Sequence, residues 1–486
     1  MSSIFEITQK DASGRIGKLV TRHGTIETPT IMPVINPNIP LIDIDEMKDI
    51  GAQILITNSY IIYRSEKLHD KALNEGLHEL IGFDGPIMTD SGSFQLSVYG
   101  DVEITNEEII DFQKKIGSDI AVPLDIPTPP DVSYEKASSE INTTVERLKK
   151  AREKFTDDML LAGPVQGSTY SDLREKCAQE LTELDFDVYP IGAVVPLMED
   201  YRYSKLVDVI VSSKKGLKPS SPVHLFGAGH PMGFALEVAL GCDLFDSAAY
   251  ALYAKNKRYI TVYGTYHLEN LHYLPCSCPV CANYTAQELK SAENNVELLA
   301  KHNLYVTFEE MNLIKQSIKE GDLLELVEQR CRSHPRLLEA LKTMYKYSDW
   351  LEKYNPVTKS TIFYCGPESS KRPEVLHFSK RIERFTVNGS AIIRSNSTKQ
   401  DDEFDNILMF KPPLGTFPVE LLETYPFNIE TISSPDYESI EVALLNTIKL
   451  IEQNPEANFT FVYEYDLYHP LLDKISEMAN LVRKYE

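Results

Sequence analysis

The chain has 486 residues, of which 42% are hydrophobic and 25% charged; it can bury a core, and it is too long for one compact domain of ordinary size. A formal net charge of −23 excludes a protein that coats nucleic acid through general basicity, while leaving room for a local basic patch. No apolar run is long enough to span a membrane, the N-terminus lacks a secretory apolar region, and seven cysteines form no disulfide framework, so a reducing, cytoplasmic interior is expected.

Residues 4–30 read as twisted strands joined by turns ("FEITQK", "GKLVTRHG", "TIETPT"). Eight short apolar runs of strand length follow: "IMPVIN", "QILITNS", "PIMTDSG", "AVPLDI", "LLAGPVQG", "VYPIGAVV", "PVHLFGAG" and "CDLFDSA". Amphipathic stretches such as "NEEIIDFQKKIG", "SSEINTTVERLKKAREKF", "SDLREKCAQELTEL" and "YSKLVDVIVSSKKG" separate them. Eight strand–helix units predict an α/β fold of the (β/α)8 TIM-barrel type. A doubly wound sheet competes, but no glycine fingerprint follows the first strand. Beyond the eighth run come a cysteine-rich segment and helical sequence to about residue 345.

The expected organisation is a barrel over residues 1–350, with a zinc-binding insertion after the last strand at about 270–305. A small basic linker domain over 351–400 and an acidic α/β domain over 401–486 complete it, joined at the polar stretch "STKQDDEFD", where the charge changes sign. In the last part "FKPPLGTFPVELLETYPF" reads as a proline-rich loop, "SIEVALLNTIKLIEQ" as a helix and "NFTFVYEY" as a strand.

Polar residues end five of the apolar runs: Asn58, Asp90, Asp125, Gln166 and Asp246. A helix cap or turn explains any one of them. Five in register favour a site at the C-terminal mouth of the barrel, where such folds place their chemistry. Asp90 is followed by small residues, including Ser91, and then by Phe94; Asp246 precedes the basic group Lys255, Lys257 and Arg258. Two carboxylates at one mouth suit a glycosidic exchange, one attacking the anomeric carbon and the other moving the leaving group's proton. Asp125 and Gln166 offer an acceptor and a donor to a planar heterocycle, and Phe94 a face to stack on it.

Cys276-x-Cys278-x2-Cys281 is followed twenty residues later by His302. Three thiolates and one imidazole fill a tetrahedral zinc site and leave no position for a reacting water, so the metal is structural. His272 is the alternative fourth ligand. Cys177, Cys242, Cys331 and Cys365 read as core or surface residues.

The ordered motifs "MTDSGSFQ", "LDIPTPPD", "VQGS", "IGAVVP", "FGAGHP", "DLFDS" and "CSCPVC…HNL" resemble those of the tRNA-guanine transglycosylases over roughly residues 1–345. The resemblance implies that Asp90 is the general acid/base and Asp246 the nucleophile of a covalent aspartyl-ribose intermediate. It implies a base pocket of Asp125, Gln166, Ser91, Gly192, Ala193, Val194 and Val195, with Phe94 and Phe226 stacking on the two faces. "DIPTPPD" and "IGAVVPLMEDYRY" look like the archaeosine branch, which exchanges guanine 15 of the tRNA D-loop for preQ0 (7-cyano-7-deazaguanine). The queuine branch instead shows "DECTP", and a second glycine where Ala193 stands. "SSKRPEVLHF" and "PPLGTFP" resemble that branch's C-terminal extension.

Members of the branch end in a PUA domain. The tail here lacks its signature, so a separate PUA-domain chain is expected to assemble with this one, along with a homodimer through the zinc face. Lys255, Lys257, Arg258, Lys371 and Arg372, with Lys380, Arg381 and Arg384, form the expected tRNA stripe. Three alternatives stand beside this reading. A wobble-position exchanger differs by a few pocket residues. A non-catalytic tRNA-binding paralogue predicts a lost nucleophile or a broken zinc pattern, and both are intact. A glycosidase acting on sugars leaves the cysteine cluster unexplained.

Overall fold

A computed structural model of the chain describes residues 4–93, 104–155, 159–395, 401–463 and 469–483. It divides into two compact units, Met1–Lys319 with Leu323–Met344, and Glu320–Asp322 with Tyr345–Glu486.

The first unit opens with an antiparallel three-stranded sheet of β1 (Phe5–Asp11), β2 (Gly14–Thr21) and β3 (Gly24–Thr28). Each of the eight apolar runs then supplies one strand: β4 (Thr30–Ile35), β5 (Leu55–Asn58), β6 (Ile87–Asp90), β7 (Ile120–Ala121), β8 (Leu160–Leu161), β9 (Tyr189–Ile191), β10 (Val223–Leu225) and β11 (Leu244–Ser247). They pair in parallel in the order β8-β7-β6-β5-β4-β11-β10-β9. Single parallel bridges from Ala162 to Val188 and from Val165 to Ile191 join the two ends. The sheet is thereby a (β/α)8 barrel.

Its interior is packed with Met32, Ile54, Ile56, Met88, Ile120, Val122, Leu160, Ala162, Val188 and Leu244. Phe5, Leu19 and Ile26 from the opening sheet belong to the same cluster, so that sheet plugs the barrel's N-terminal end. Arg15 locks the plug: its Nε and Nη2 each donate to the buried Asp243 at 2.7 Å, just below β11. The intervening helices match the amphipathic stretches, among them Asn106–Lys115, Tyr134–Lys154, Ser171–Glu183 and Tyr203–Gly216. Thr105 starts the first of these with a reciprocal capping box to Glu108.

After the barrel come a hairpin, β12 (Arg258–Thr261) and β13 (Gly264–His267), and the long helix Asn295–Glu320. No described helix is long and apolar enough to cross a membrane.

The second unit is built on one five-stranded sheet, in the order β16 (Gly415–Pro418), β15 (Asn406–Lys411), β14 (Ser390–Arg394), β17 (Asn458–Tyr463), β18 (Asn480–Arg483). Helix Tyr437–Gln453 contributes Ala443, Leu444, Ile448 and Ile451 to its core. Two sequence expectations change here. The charge reversal near residue 400 is not a domain joint, because β14 is the central strand between β15 and β17. Separate 351–400 and 401–486 domains would cut that sheet in two. The proline-rich "FKPPLGTFP" is no loop either: β15 and β16 pair antiparallel across it, Lys411 opposite Gly415.

Candidate active site

Asp90 ends β6 and lies directly opposite Asn58 at the end of β5, whose Nδ2 donates to Asp90 Oδ2 at 3.3 Å. The Asn58 side chain also caps the following helix by accepting from the Ile61 N–H at 3.0 Å, as a residue at a strand end commonly does. Burial, then the charges of Asp125 and Asp246, push the Asp90 carboxyl up to about 7. Backbone N–H groups of Gly92 and Ser91 pull the other way. The charges of two carboxylates from other strand ends therefore reach Asp90 at one mouth.

Asp125 is buried and accepts from Gln166 Nε2 at 2.6 Å. Its own N–H donates to Ser93 Oγ at 3.1 Å, and burial pushes its carboxyl above the ordinary range. Gln166 is fully buried, and its Oε1 has no hydrogen-bond partner among the described residues. An unpartnered buried acceptor is costly unless a ligand N–H meets it. Gly192 stands against this side chain so closely that a Cβ there would lie 2.1 Å from Gln166 Nε2. Ala193 sits at φ +57, the left-handed region that a Cβ disfavours. Val194 is buried and Val195 half-buried. Ser91 lies behind the site: its hydroxyl donates to the Pro123 carbonyl at 3.1 Å and meets Ser93 Oγ at 3.0 Å. Phe94 lies outside the described residues.

Asp246 sits on β11 with one oxygen tied. His224 Nε2 lies 2.8 Å from Oδ1, and the Gly227 N–H donates to the same atom at 2.7 Å. No hydrogen bond holds Oδ2 among the described residues. His224 is fully buried on β10, its Nδ1 has no partner among the described residues, and its ring meets Phe226 edge-on at 4.5 Å.

Arg174, on the helix Ser171–Glu183, is also fully buried. Nε donates to the Ser168 carbonyl at 2.9 Å, Nη1 to Val165 at 2.8 Å and Nη2 to Gly192 at 2.9 Å. Burial lowers its affinity for protons to about 10, still far above neutrality. This cation fixes the backbone on both sides of Gln166. The sequence reading missed Arg174, His224 and Ser93. A histidine two residues before Phe226 in "PVHLFGAG" points into the barrel by strand alternation, and that signal was available.

The donor atoms of Cys276, Cys278, Cys281 and His302 all lie within 4.8 Å of one another, a group able to hold a metal ion. His302 Nδ1 faces Cys281 Sγ at 3.3 Å and Cys278 Sγ at 3.5 Å. Its Nε2 lies 3.0 Å from the Ile260 carbonyl, which selects the tautomer with Nδ1 free to ligate. Tyr259 stacks on the ring at 3.6 Å and its hydroxyl reaches Cys281 Sγ at 3.3 Å. His272 is exposed and outside the group. The neighbouring Asn303 donates to the Tyr250 carbonyl at 3.2 Å, and Tyr250 donates to Val34 of β4 at 3.0 Å. The cluster is thus anchored to the barrel a few residues from Asp246.

Of the expected tRNA stripe, Lys255 and Lys371 are exposed, Lys257 bonds Asn295, and Arg258 is half-buried on Thr265. Lys380 is held by Asp349 and Glu352. Arg372 does not belong to that stripe. It is fully buried beside Glu374, whose carboxyl its charge helps to keep ionised, so it is not presented to a phosphate.

A barrel with acids from separate strands turned to one mouth, beside a closed thiol–imidazole cluster, has the build of a transferase. Residues 10–336 match the family described as queuine tRNA-ribosyltransferase. A tRNA-guanine(15) transglycosylase from Methanosarcina barkeri is 67% identical over 482 residues, covering 99% of this chain and 98% of that one. Proteins of the same name from Haloarcula marismortui and Methanocaldococcus jannaschii are 49% and 53% identical. The first alignment covers 98% of both chains, and the second 89% of this chain and 69% of its relative. The chain belongs to the queuine tRNA-ribosyltransferase family, the tRNA-guanine transglycosylases, and is a pentosyltransferase.

Proposed function

We propose that this enzyme exchanges guanine 15 in the D-loop of tRNA for preQ0, the step that commits the nucleotide to archaeosine. The observation that carries the chemistry is the convergence of Asp90, Asp125 and Asp246, with Asp90 held near neutral pH by the other two and by burial. The position is suggested by the name that these relatives share, tRNA-guanine(15) transglycosylase.

In this reading Asp246 Oδ2 attacks C1′ of the nucleotide while the His224 and Gly227 contacts hold Oδ1. The C1′–N9 bond breaks, and guanine leaves with its electron pair and takes a proton from Asp90. Asp90 then removes a proton from the incoming base, whose nitrogen attacks C1′ and displaces the carboxylate. A group protonated about half the time near pH 7 can do both. Asp125 and Gln166 Oε1 accept N–H groups of the base, and Gly192–Val195 with Phe226 and Phe94 enclose it. The cluster of Cys276, Cys278, Cys281 and His302 holds a zinc ion as scaffold.

Lys255, Lys257 and Lys371 contact tRNA phosphates. The base must leave the folded tRNA before attack, at a cost of a few kcal/mol that such contacts supply. A cytoplasmic homodimer assisted by a PUA-domain chain completes the proposal; light scattering with and without that chain tests the assembly. The decisive experiment supplies labelled guanine and preQ0 to the zinc-loaded protein and maps the label. Label at position 15 is expected. Label in the anticodon would favour wobble exchange, and no label with intact Asp90 and Asp246 would favour a non-catalytic subunit.

A further inference from the structure

We propose that a crevice in the C-terminal unit receives one further nucleotide of the tRNA, base inward and phosphate at its mouth. The proposal rests on the reading of this chain as a tRNA enzyme, and concerns a site unconnected with the reacting base. The crevice has a volume of about 200 Å³ and lies between the helix Pro373–Arg381, with its continuation Ile382–Arg384, and the segment around Tyr425. Three features give it the chemistry of a nucleotide site.

Its walls are aromatic. Phe385 and Phe427 face it with ring centroids 6.2 Å apart at 53°, and Tyr425 lines it beside them. Every nucleobase offers a π-face to such walls.

Two buried polar atoms among its lining residues lack partners among the described residues. Glu374 is 2% exposed; its Oε1 holds Lys359 at 2.6 Å while Oε2 has no hydrogen bond. Burial alone would push this carboxyl up, but the Lys359 and Arg372 charges outweigh it and keep it an ionised acceptor. His377 Nδ1 lies 2.8 Å from Glu352 Oε1, and its Nε2 has no partner. A buried carboxylate oxygen and a ring nitrogen carried three residues apart on one helix suit the amide or amino edge of a base.

Arg384 is exposed and Arg381 half-exposed, so their guanidinium groups stand at the solvent end. Neither makes an ion pair or side-chain hydrogen bond among the described residues, whereas Lys380, just before them, is neutralised by Asp349 and Glu352. Two free forks at the mouth of an aromatic slot fit a phosphate diester. Residues 401–486 are acidic on balance, and these two arginines lie outside that stretch.

The test uses the full-length protein. Arg381→Ala with Arg384→Ala, Tyr425→Ala and Tyr425→Phe are compared with the wild type for tRNA affinity by filter binding over a salt series. The double arginine variant is expected to lose roughly tenfold or more in affinity and to lower the salt slope by about 1.5. Tyr425→Ala is expected to lose affinity by about tenfold, and Tyr425→Phe, which keeps the ring, to retain it. Guanine exchange should show a raised KM for tRNA with kcat within about twofold.

Unchanged tRNA affinity and salt slope in the arginine variant would overturn the proposal. So would equal behaviour of Tyr425→Ala and Tyr425→Phe, which would reduce the site to surface charge. Binding of guanosine monophosphate by wild type but not by the variants, with tRNA affinity intact, would assign the crevice to a free nucleotide instead. Asp246→Asn keeps the two readings apart: it should abolish exchange and leave the arginine-dependent affinity as it was.

Discussion

Replacing Asp90 by asparagine should make the protein inactive and more stable, by an amount that grows with pH. Burial, Asp125 and Asp246 raise this carboxyl from 3.8 to about 7 in the folded state. Between those values the folded protein keeps a proton that the unfolded chain releases. Stability therefore falls as pH rises through the window, with no loss below it and the full loss above it. At about 1.4 kcal/mol for each tenfold change in proton affinity, the whole window amounts to on the order of 4 kcal/mol. The partial solvent contact of Asp90 makes that an upper bound. Asparagine keeps the shape and cannot ionise. Asp90→Asn should therefore melt close to the wild type at pH 4.5 and several degrees higher at pH 8. Scanning calorimetry of the zinc-loaded protein at intervals across that range reads the gap. Repeating it in an Asp125→Asn background should shrink the gap, since Asp125 is the larger of the two charge contributions. A gap that stays constant from pH 4.5 to 8 would refute the convergence of these carboxylates, and with it the basis of the proposed mechanism.

Gly192→Ala places a methyl group on Gln166 Nε2 and should break its bond to Asp125, raising KM for the free base at least tenfold while tRNA affinity holds. His224→Phe removes one of two contacts on Asp246 Oδ1; a hydrogen bond to a charged group is worth about 1.5–3 kcal/mol, so kcat should fall roughly ten- to hundredfold with little change in KM. Ala193→Gly relieves a left-handed backbone and should stabilise the protein by up to about 1 kcal/mol in chemical denaturation. Cys278→Ser should lower metal content and melting temperature together, and chelation of the wild type should reproduce the drop in melting temperature.

Much of the barrel was legible because parallel strands buried on both faces leave short apolar runs, and each of the eight quoted runs overlaps one of its strands. Asp90, Asp125, Gln166 and Asp246 were legible because the fold places chemistry at strand ends. The C-terminal unit was not. Its central strand Ser390–Arg394 pairs with strands on either side that come later in the chain, and parallel pairing across such gaps leaves no local mark. Composition marked instead a change of charge, which a single sheet accommodates without a boundary. Arg372 misled for a related reason: a cation in a basic stretch looks solvated until the fold buries it beside Glu374. Arg174 was hidden by an ordinary amphipathic pattern, since only the carbonyls it reaches reveal what it does.

The way the barrel closes couples its integrity to base recognition. The ring is completed by two lone bridges, and the second ties Val165 to Ile191, the residues just before Gln166 and Gly192. The Gly192 N–H and Arg174 Nη1 both converge on the Val165 carbonyl. The join that closes the cylinder is thus also the clasp that holds the base-reading amide in place. Any change that opens this seam should therefore cost the enzyme its grip on the incoming heterocycle as well as the closure of its wall.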